Sequence, residues 1–394
     1  MTDRSLPLSQ KAIGLAPSGI RKFFDLVIGM DDVISLGVGE PDFATPWHIC
    51  DAAVAALRRG VTSYTSNAGL MDLREAIVED LQRRYGVGYD PEKQVLVTIG
   101  VSEALDLAMR ATLNPGDEVI VPEPSYVSYM PTVELAGGVA VGVPTVEAND
   151  FKLRPEDLEA AITPRTVGLL IGYPNNPTGT TMSREEFAPI AEICTRHNLL
   201  VFSDEIYAHL TYEGEHACFA ALPGMAERTV LFNGFSKAYA MTGWRLGYAC
   251  GPAEIIGAMN RIHAYTALCA PVGAQMAALE ALRHGEAEMR RMIEEYDQRR
   301  RLFVKGLNDI GLPCFMPRGA FYTFPRIAHL GLTAKEFSER LLFEHKVAAV
   351  PGTAFGQSGE GYLRCTYATS AEQLKTALDR MDQLVADIKA GARS

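Results

Sequence analysis

The sequence predicts an α/β protein, with a mostly parallel seven-stranded sheet sandwiched by helices and a smaller α+β unit beside it. Three observations carry that expectation. Seven short runs between Gln94 and Cys250 are rich in β-branched and apolar residues, and most are apolar throughout. Strands buried on both faces read that way, whereas strands with one wet face alternate. Helical spacing separates several of the runs, as parallel strands joined by crossovers require. After Pro271 the texture changes to long helices and short, scattered strands.

In chain order, Pro17–Ile28 reads as a short helix and Val33–Leu36 as a strand, followed by the turn Gly37-Val38-Gly39-Glu40-Pro41-Asp42. Trp47–Arg59 and Leu70–Tyr85 carry apolar residues at helical spacing and flank an exposed loop, Tyr64–Gly69. The seven runs are Gln94–Ile99, Glu118–Val121, Val139–Val143, Thr166–Ile171, Leu199–Ser203, Thr229–Phe232 and Leu246–Cys250, with a helix at Glu103–Leu113. Helices follow at Gly273–Arg283 and Glu286–Ile310. The tail gives strands near Leu312–Phe315, Ala320–Phe324, Ala348–Val350 and Tyr362–Tyr367, with helices at Ala334–Glu344 and Ala371–Lys389. The expected division is a large domain over residues 46–285 and a small one from 1–45 with 286–394.

Composition narrows the function classes. The chain has 394 residues with 37 Lys and Arg against 48 Asp and Glu, a net charge of −11. That balance argues against nucleic acid or an anionic membrane as the main partner, while leaving room for a local basic pocket. No apolar run approaches the ~18 residues of a membrane span, and the first residues lack the apolar core of a signal peptide. The seven cysteines form no CxxC pair, which fits free thiols in a reducing cytoplasm. The histidines show no metal-ligand spacing, so no metal is expected.

The chemistry-bearing residues cluster after predicted strand ends, where ligands sit in open α/β sheets. Lys237 lies in Asn233-Gly-Phe-Ser-Lys-Ala-Tyr-Ala-Met-Thr-Gly-Trp-Arg-Leu-Gly-Tyr248, among small and aromatic residues, with Ser236 before it and Arg245 after it. A partly desolvated ammonium near another cation loses its proton readily and becomes a nucleophile toward carbonyls. Gly100-Val101-Ser102 sits where a strand becomes a helix, either as an ordinary cap or as an anion site at the helix dipole. Asp204, in Ser-Asp-Glu-Ile-Tyr207, ends a buried strand, where a carboxylate needs a partner. Tyr173-Pro-Asn-Asn-Pro-Thr-Gly179 is a rigid turn.

Together these segments resemble the class I/II aminotransferases, the fold-type-I enzymes that use pyridoxal 5'-phosphate, over about Ser18 to Ala386. The likeness is to the aspartate and aromatic aminotransferase branch. The resemblance implies that Lys237 is the catalytic residue, forming an aldimine with the cofactor and then moving the α-carbon proton. It implies that Gly100, Val101, Ser102 and Arg245 hold the phosphate. Gly234 stands where the animal-type aspartate enzymes have a phosphate-binding serine, so Ser236 or backbone takes that role. Tyr126 would stack on the pyridine ring, Asp204 would pair with its nitrogen, and Asn176 and Tyr207 would reach its phenolic oxygen. Arg364 would fork the substrate carboxylate, with Asn176 and the Gly39 N–H assisting. Tyr64 would reach the phosphate of a neighbouring subunit, which makes the expected homodimer a shared-site one.

The implied reaction moves the amino group of an L-amino acid (aspartate, aromatic or alanine-like) to a 2-oxo acid such as 2-oxoglutarate, by a ping-pong mechanism. Ile20, Phe24 and Tyr322 offer an apolar wall for an aromatic donor. One alternative is a carbon–sulfur β-lyase of the same fold, in which the Met241–Arg245 segment is usually less complete. The other is a non-catalytic cofactor-binding regulator, which the intact Lys237, Asp204 and Arg364 argue against.

Overall fold

A computed structural model describes residues 8–15, 19 and 30–391. Apart from Gly19, the expected helix Pro17–Ile28 lies outside the described residues, and Ile20 and Phe24 with it. In chain order the strands are β1 (Ile34–Ser35), β2 (Val95–Thr98), β3 (Glu118–Glu123), β4 (Val139–Pro144), β5 (Thr166–Gly172), β6 (Leu200–Asp204), β7 (Thr229–Gly234) and β8 (Gly247–Cys250). Four short strands follow: β9 (Tyr322–Thr323), β10 (Val347–Ala348), β11 (Val350–Pro351) and β12 (Leu363–Thr366).

Strands β2 to β8 form one seven-stranded sheet in the order β2-β8-β7-β6-β5-β3-β4. Every pairing in it is parallel except those of β8, which runs against both neighbours. Alternate side chains explain why these strands read as apolar throughout. Leu96, Leu170, Phe202, Val230, Phe232 and Ala249 pack into a layer with helices Gly100–Thr112 and Ala253–Thr266. Their neighbours Val95, Val97, Leu231 and Cys250 pack with helices Met71–Tyr85 and Val272–His284. Leu169, Ile171 and Val201 pack with helix Arg184–Arg196. Both faces of the sheet are therefore dry except at the edge strand β4, where only Val143 is buried, and burial of apolar area at roughly 25 cal/mol per Å² holds the layers together.

The rest of the chain packs around β9–β12 and the helices Glu286–Asp309, Ala334–His345 and Ala371–Gly391. Strand β1 joins this region by pairing in parallel with β10. Two expectations change here. The strand expected near Ala348–Val350 is two strands in two sheets, β10 beside β1 and β11 beside β12. No strand forms at Leu312–Phe315, because the Asn308 side chain accepts from the Cys314 N–H (3.1 Å) and donates to its carbonyl (3.0 Å). A side chain thus satisfies the backbone that a neighbouring strand would otherwise pair. Helix Ala253–Thr266 adds to the expected elements, with its buried Ile256, Met259 and His263 on one face. All seven cysteines are free thiols, five of them buried. Among the described residues no helix is long and apolar enough to cross a membrane.

Candidate active site

The carboxyl ends of β2, β3, β5, β6 and β7 open on one cavity of about 860 Å³. Because β8 is antiparallel, the chain enters it at that same edge, and this is how Arg245 arrives there. Of the residues singled out in the sequence, Gly39, Val101, Ser102, Tyr126, Asn176, Asp204, Tyr207, Ser236, Lys237, Arg245 and Arg364 line the cavity.

Helix Gly100–Thr112 begins without a side-chain cap. Glu103 instead reaches back to accept from the Ile99 N–H at 2.6 Å, held from behind by His263 Nδ1 at 2.8 Å. The first-turn N–H groups have no partner within the helix, and they carry the positive end of its dipole. Gly100 takes a φ of +71°, and a Cβ there would stand 2.8 Å from Arg245 Nη2. Bare backbone and a guanidinium are thus packed together in one place, which is the chemistry of an anion cup. The Arg245 Nη1 donates to the Thr242 carbonyl at 3.0 Å, which fixes it.

Lys237 follows β7 and donates from Nζ to the Gly39 carbonyl at 2.6 Å. The Tyr207 and Phe321 rings lie 5.9 and 5.7 Å from it. Burial of the ammonium, with the nearby Arg364 and Arg245, lowers its pKa to about 8 against the pull of Glu40 and Asp204. The lysine is therefore partly a free amine near neutral pH, while its side chain stays half-buried and open to the cavity.

Asp204 ends β6 and is only 5% exposed. Its carboxylate accepts from the Tyr129 hydroxyl at 2.8 Å and from the Ile206 N–H at 3.2 Å. Burial raises its pKa to about 6, opposed by those two donors and by Lys237. Glu205, next in the chain, turns the other way and is spent on structure. It accepts from Ser203 Oγ (3.0 Å) and the Phe219 N–H (3.1 Å) and meets His216 at 2.7 Å.

The rigid turn divides its labour between its two asparagines. Asn175 Oδ1 accepts from the Thr178 N–H (3.2 Å) and hydroxyl (2.9 Å), which shapes the turn. Asn176 is then free to face the cavity, where its side-chain oxygen accepts from Arg364 Nη1 at 3.1 Å. Arg364 is 2% exposed, donates from Nη2 to the Gly37 carbonyl, and leaves Nε without a partner. Tyr322 and Phe355 lie against its guanidinium at 4.7 and 4.8 Å.

The structure adds residues that the sequence reading missed or placed differently. Tyr129 appeared only as part of the Tyr126 segment, yet it holds Asp204 and packs edge-on to Tyr126 at 5.6 Å. Tyr322, expected as an apolar wall, lines the cavity and also bonds Tyr207 hydroxyl to hydroxyl at 2.7 Å. Gly39 meets Lys237 through its carbonyl. Tyr64 is 82% exposed and lies outside this chain's own cavity lining, on a loop tied by Gln275 to Thr65 (3.1 Å) and Leu70 (2.8 Å).

Residues 31–381 match the family model for aminotransferase class I and II. The chain belongs to that family. An aspartate aminotransferase of Pyrococcus abyssi is 48% identical over 376 residues, covering 95% of this chain and 97% of that protein. An aromatic-amino-acid aminotransferase of Thermococcus litoralis is 45% identical over 390 residues, covering 98% and 100%. The solved aspartate aminotransferase of Thermus thermophilus with maleate superposes with a TM-score of 0.92 at 41% identity, covering 96% of this chain and all of that one. This aminotransferase is accordingly an enzyme dependent on pyridoxal phosphate, acting on amino acids and 2-oxo acids.

Proposed function

We propose that the cavity at the sheet's carboxyl edge holds pyridoxal phosphate and transfers amino groups by a ping-pong sequence with 2-oxoglutarate as acceptor. The observation that carries this reading is Lys237, an amine with a lowered pKa in a cavity that also holds Asp204, Arg245 and Arg364. The donor set fits the cofactor. The Gly100 cup with Arg245 and Ser236 suits a phosphate, Asp204 suits a cationic ring nitrogen, and Tyr126 offers a flat face to a flat ring.

In this reading Asn176 and Tyr207 would hold the phenolic oxygen, and Asp204 would keep the ring nitrogen protonated. The bound cofactor supplies an electron sink for the bond broken at the substrate's α-carbon. Lys237 would hold the cofactor at rest; once the substrate's amine displaces it, the freed lysine amine would take the α-proton and give it back as general base and acid. Arg364 and the Gly39 N–H fix the substrate carboxylate, which aligns the breaking bond.

Donor breadth across aspartate, aromatic and alanine-like amino acids follows from a cavity wall that mixes Val38, Val127 and Tyr322 with Ser128 and Thr242. The names of the relatives, aspartate in one and aromatic in another, support the same breadth. The exposed Tyr64 supports a homodimer in which each subunit lends that residue to the other's phosphate. The free thiols support a cytoplasmic location, and residues 46–285 form the cofactor-binding domain against a small domain of 1–45 and 286–394. Steady-state kinetics over a panel of donors, with the particle mass measured in the same buffer, test the proposal. Parallel double-reciprocal lines, several donors of similar kcat/KM and a dimer mass are expected. Intersecting lines or one donor far ahead of the rest would overturn the kinetic part, and an active monomer would overturn the shared site.

A further inference from the structure

The segment from Gly37 to Thr45 crosses the cavity and is held at five points. The Gly37 carbonyl accepts from Arg364, and the Gly39 carbonyl accepts from Lys237 at 2.6 Å. Glu40 accepts from the Thr242 hydroxyl. Thr45 donates to the Ala240 carbonyl at 2.7 Å and accepts from Trp244 Nε1 at 3.0 Å. The fifth hold comes from outside the cavity. Arg299 Nη1 bonds both oxygens of Asp42, at 2.9 and 2.8 Å.

Arg299 is built for that contact. It is buried on helix Glu286–Asp309, and its Nε is fixed by Glu295 at 3.0 Å. Its guanidinium lies over the Phe43 and Tyr296 rings, at 5.3 and 5.7 Å, and those rings pack edge-to-face at 5.3 Å. A guanidinium so oriented loses little freedom on meeting a carboxylate, and it sets the direction of its partner as well as the distance. Arg299 does not line the cavity.

We infer that Arg299, acting through Asp42, is a positioning residue that sets where Gly39 and Gly37 stand relative to Lys237 and Arg364. The inference rests on the proposed role of Arg364 and Gly39 in holding the substrate carboxylate. The hold at Asp42 is the one made by the long helix, so it couples that helix to the turn. Releasing it lets the turn shift, and the Gly39 N–H then no longer meets the carboxylate that Arg364 binds. A displacement of about 1 Å at such a point costs up to ~100-fold in rate or affinity.

The test is a cycle of Asp42→Asn, Arg299→Gln and the double variant, in the cofactor-loaded protein. Measured are KM and kcat for an amino-acid donor and the dissociation constant of hydrocinnamate, a carboxylate without an amino group. Each single variant is expected to raise KM and the hydrocinnamate constant by roughly tenfold or more, with kcat changed far less. The double variant should be no worse than the worse single, because both residues act through one contact. Unchanged KM and hydrocinnamate binding in well-folded Asp42→Asn would overturn the inference. So would a double variant whose losses multiply. Should Arg299→Gln fail to fold, Asp42→Asn, on a partly exposed turn residue, still decides the matter. Wild-type protein that neither binds the cofactor nor transfers amino groups would instead count against the proposed function.

Discussion

Arg364 donates to the Asn176 side-chain oxygen at 3.1 Å, and no carboxylate among the described residues pairs with its buried guanidinium. A desolvated cation without a counter-ion is costly, and a carboxylate brought by the substrate relieves that cost. Arg364→Lys keeps the charge and loses the fork, so KM for donor and acceptor should rise by roughly 10- to 100-fold. Arg364→Leu should lose more affinity while melting no earlier than wild type, since it removes an unpaired buried charge. Steady-state kinetics beside thermal melts check both, and an unchanged KM in Arg364→Leu would remove Arg364 from the substrate site.

Lys237 reacts only as the free amine. With its pKa lowered to about 8, covalent capture of pyridoxal phosphate by cofactor-free protein should speed up as pH rises toward 8 and level off above it. Below that pH the slope should be about tenfold per unit, the fraction of free amine setting the rate. The appearance of the visible absorption band after mixing measures this. A rate flat from pH 6 to about 8 would mean that the amine is free over that whole range.

Asp204 makes stability depend on pH in the opposite sense from a paired surface carboxylate. Its folded pKa, about 6, lies above the ordinary value near ~4, so the folded state binds the proton more tightly than the unfolded one. The stability it contributes is full below pH ~4 and is lost as pH rises through about 6. Asp204→Asn should therefore stabilise the cofactor-free protein above pH 6 by up to about 3 kcal/mol, with the gain vanishing below pH ~4, and should bind the cofactor poorly. Denaturant melts of the two cofactor-free proteins across that range check the sign. Tyr129→Phe removes a donor to the ionised carboxylate, so it should push the Asp204 titration to still higher pH.

Gly179 closes the turn that presents Asn176. It takes a φ of +74°, and a Cβ there would stand 2.4 Å from the Pro317 Cβ. Gly179→Ala meets both strain and overlap, so a loss of about 2–4 kcal/mol is expected, with weaker substrate binding as Asn176 and Arg364 separate. Urea melts and KM together test it, and a variant as stable as wild type would show that the turn has room to relax.

Much of this site was legible because its residues sit at strand ends, and the strands announce themselves. Val95–Thr98, Leu200–Asp204 and Thr229–Gly234 are dry on both faces, so their apolar runs marked where Gly100, Asp204 and Lys237 would lie. Contacts across the fold were not legible. Tyr129 lies 75 residues from Asp204 in the chain, and Arg299 lies 257 from Asp42. Short strands were also hard to read, because β10 and β11 are set by their partners more than by their own composition. At Leu312–Phe315 the Asn308 side chain overrode an extended pattern.

The central claim is that Lys237 carries the amino-group transfer on a bound pyridoxal phosphate. The most direct measurement is the absorption spectrum of wild-type and Lys237→Ala protein with the cofactor, then with an amino acid alone, then with 2-oxoglutarate. The account predicts that wild-type protein gains a visible band that the amino acid bleaches and the oxo acid restores. The band should be fixed to the chain by borohydride in wild type and not in Lys237→Ala. A wild-type protein that stays colourless, or a Lys237→Ala protein that cycles as wild type does, would contradict it.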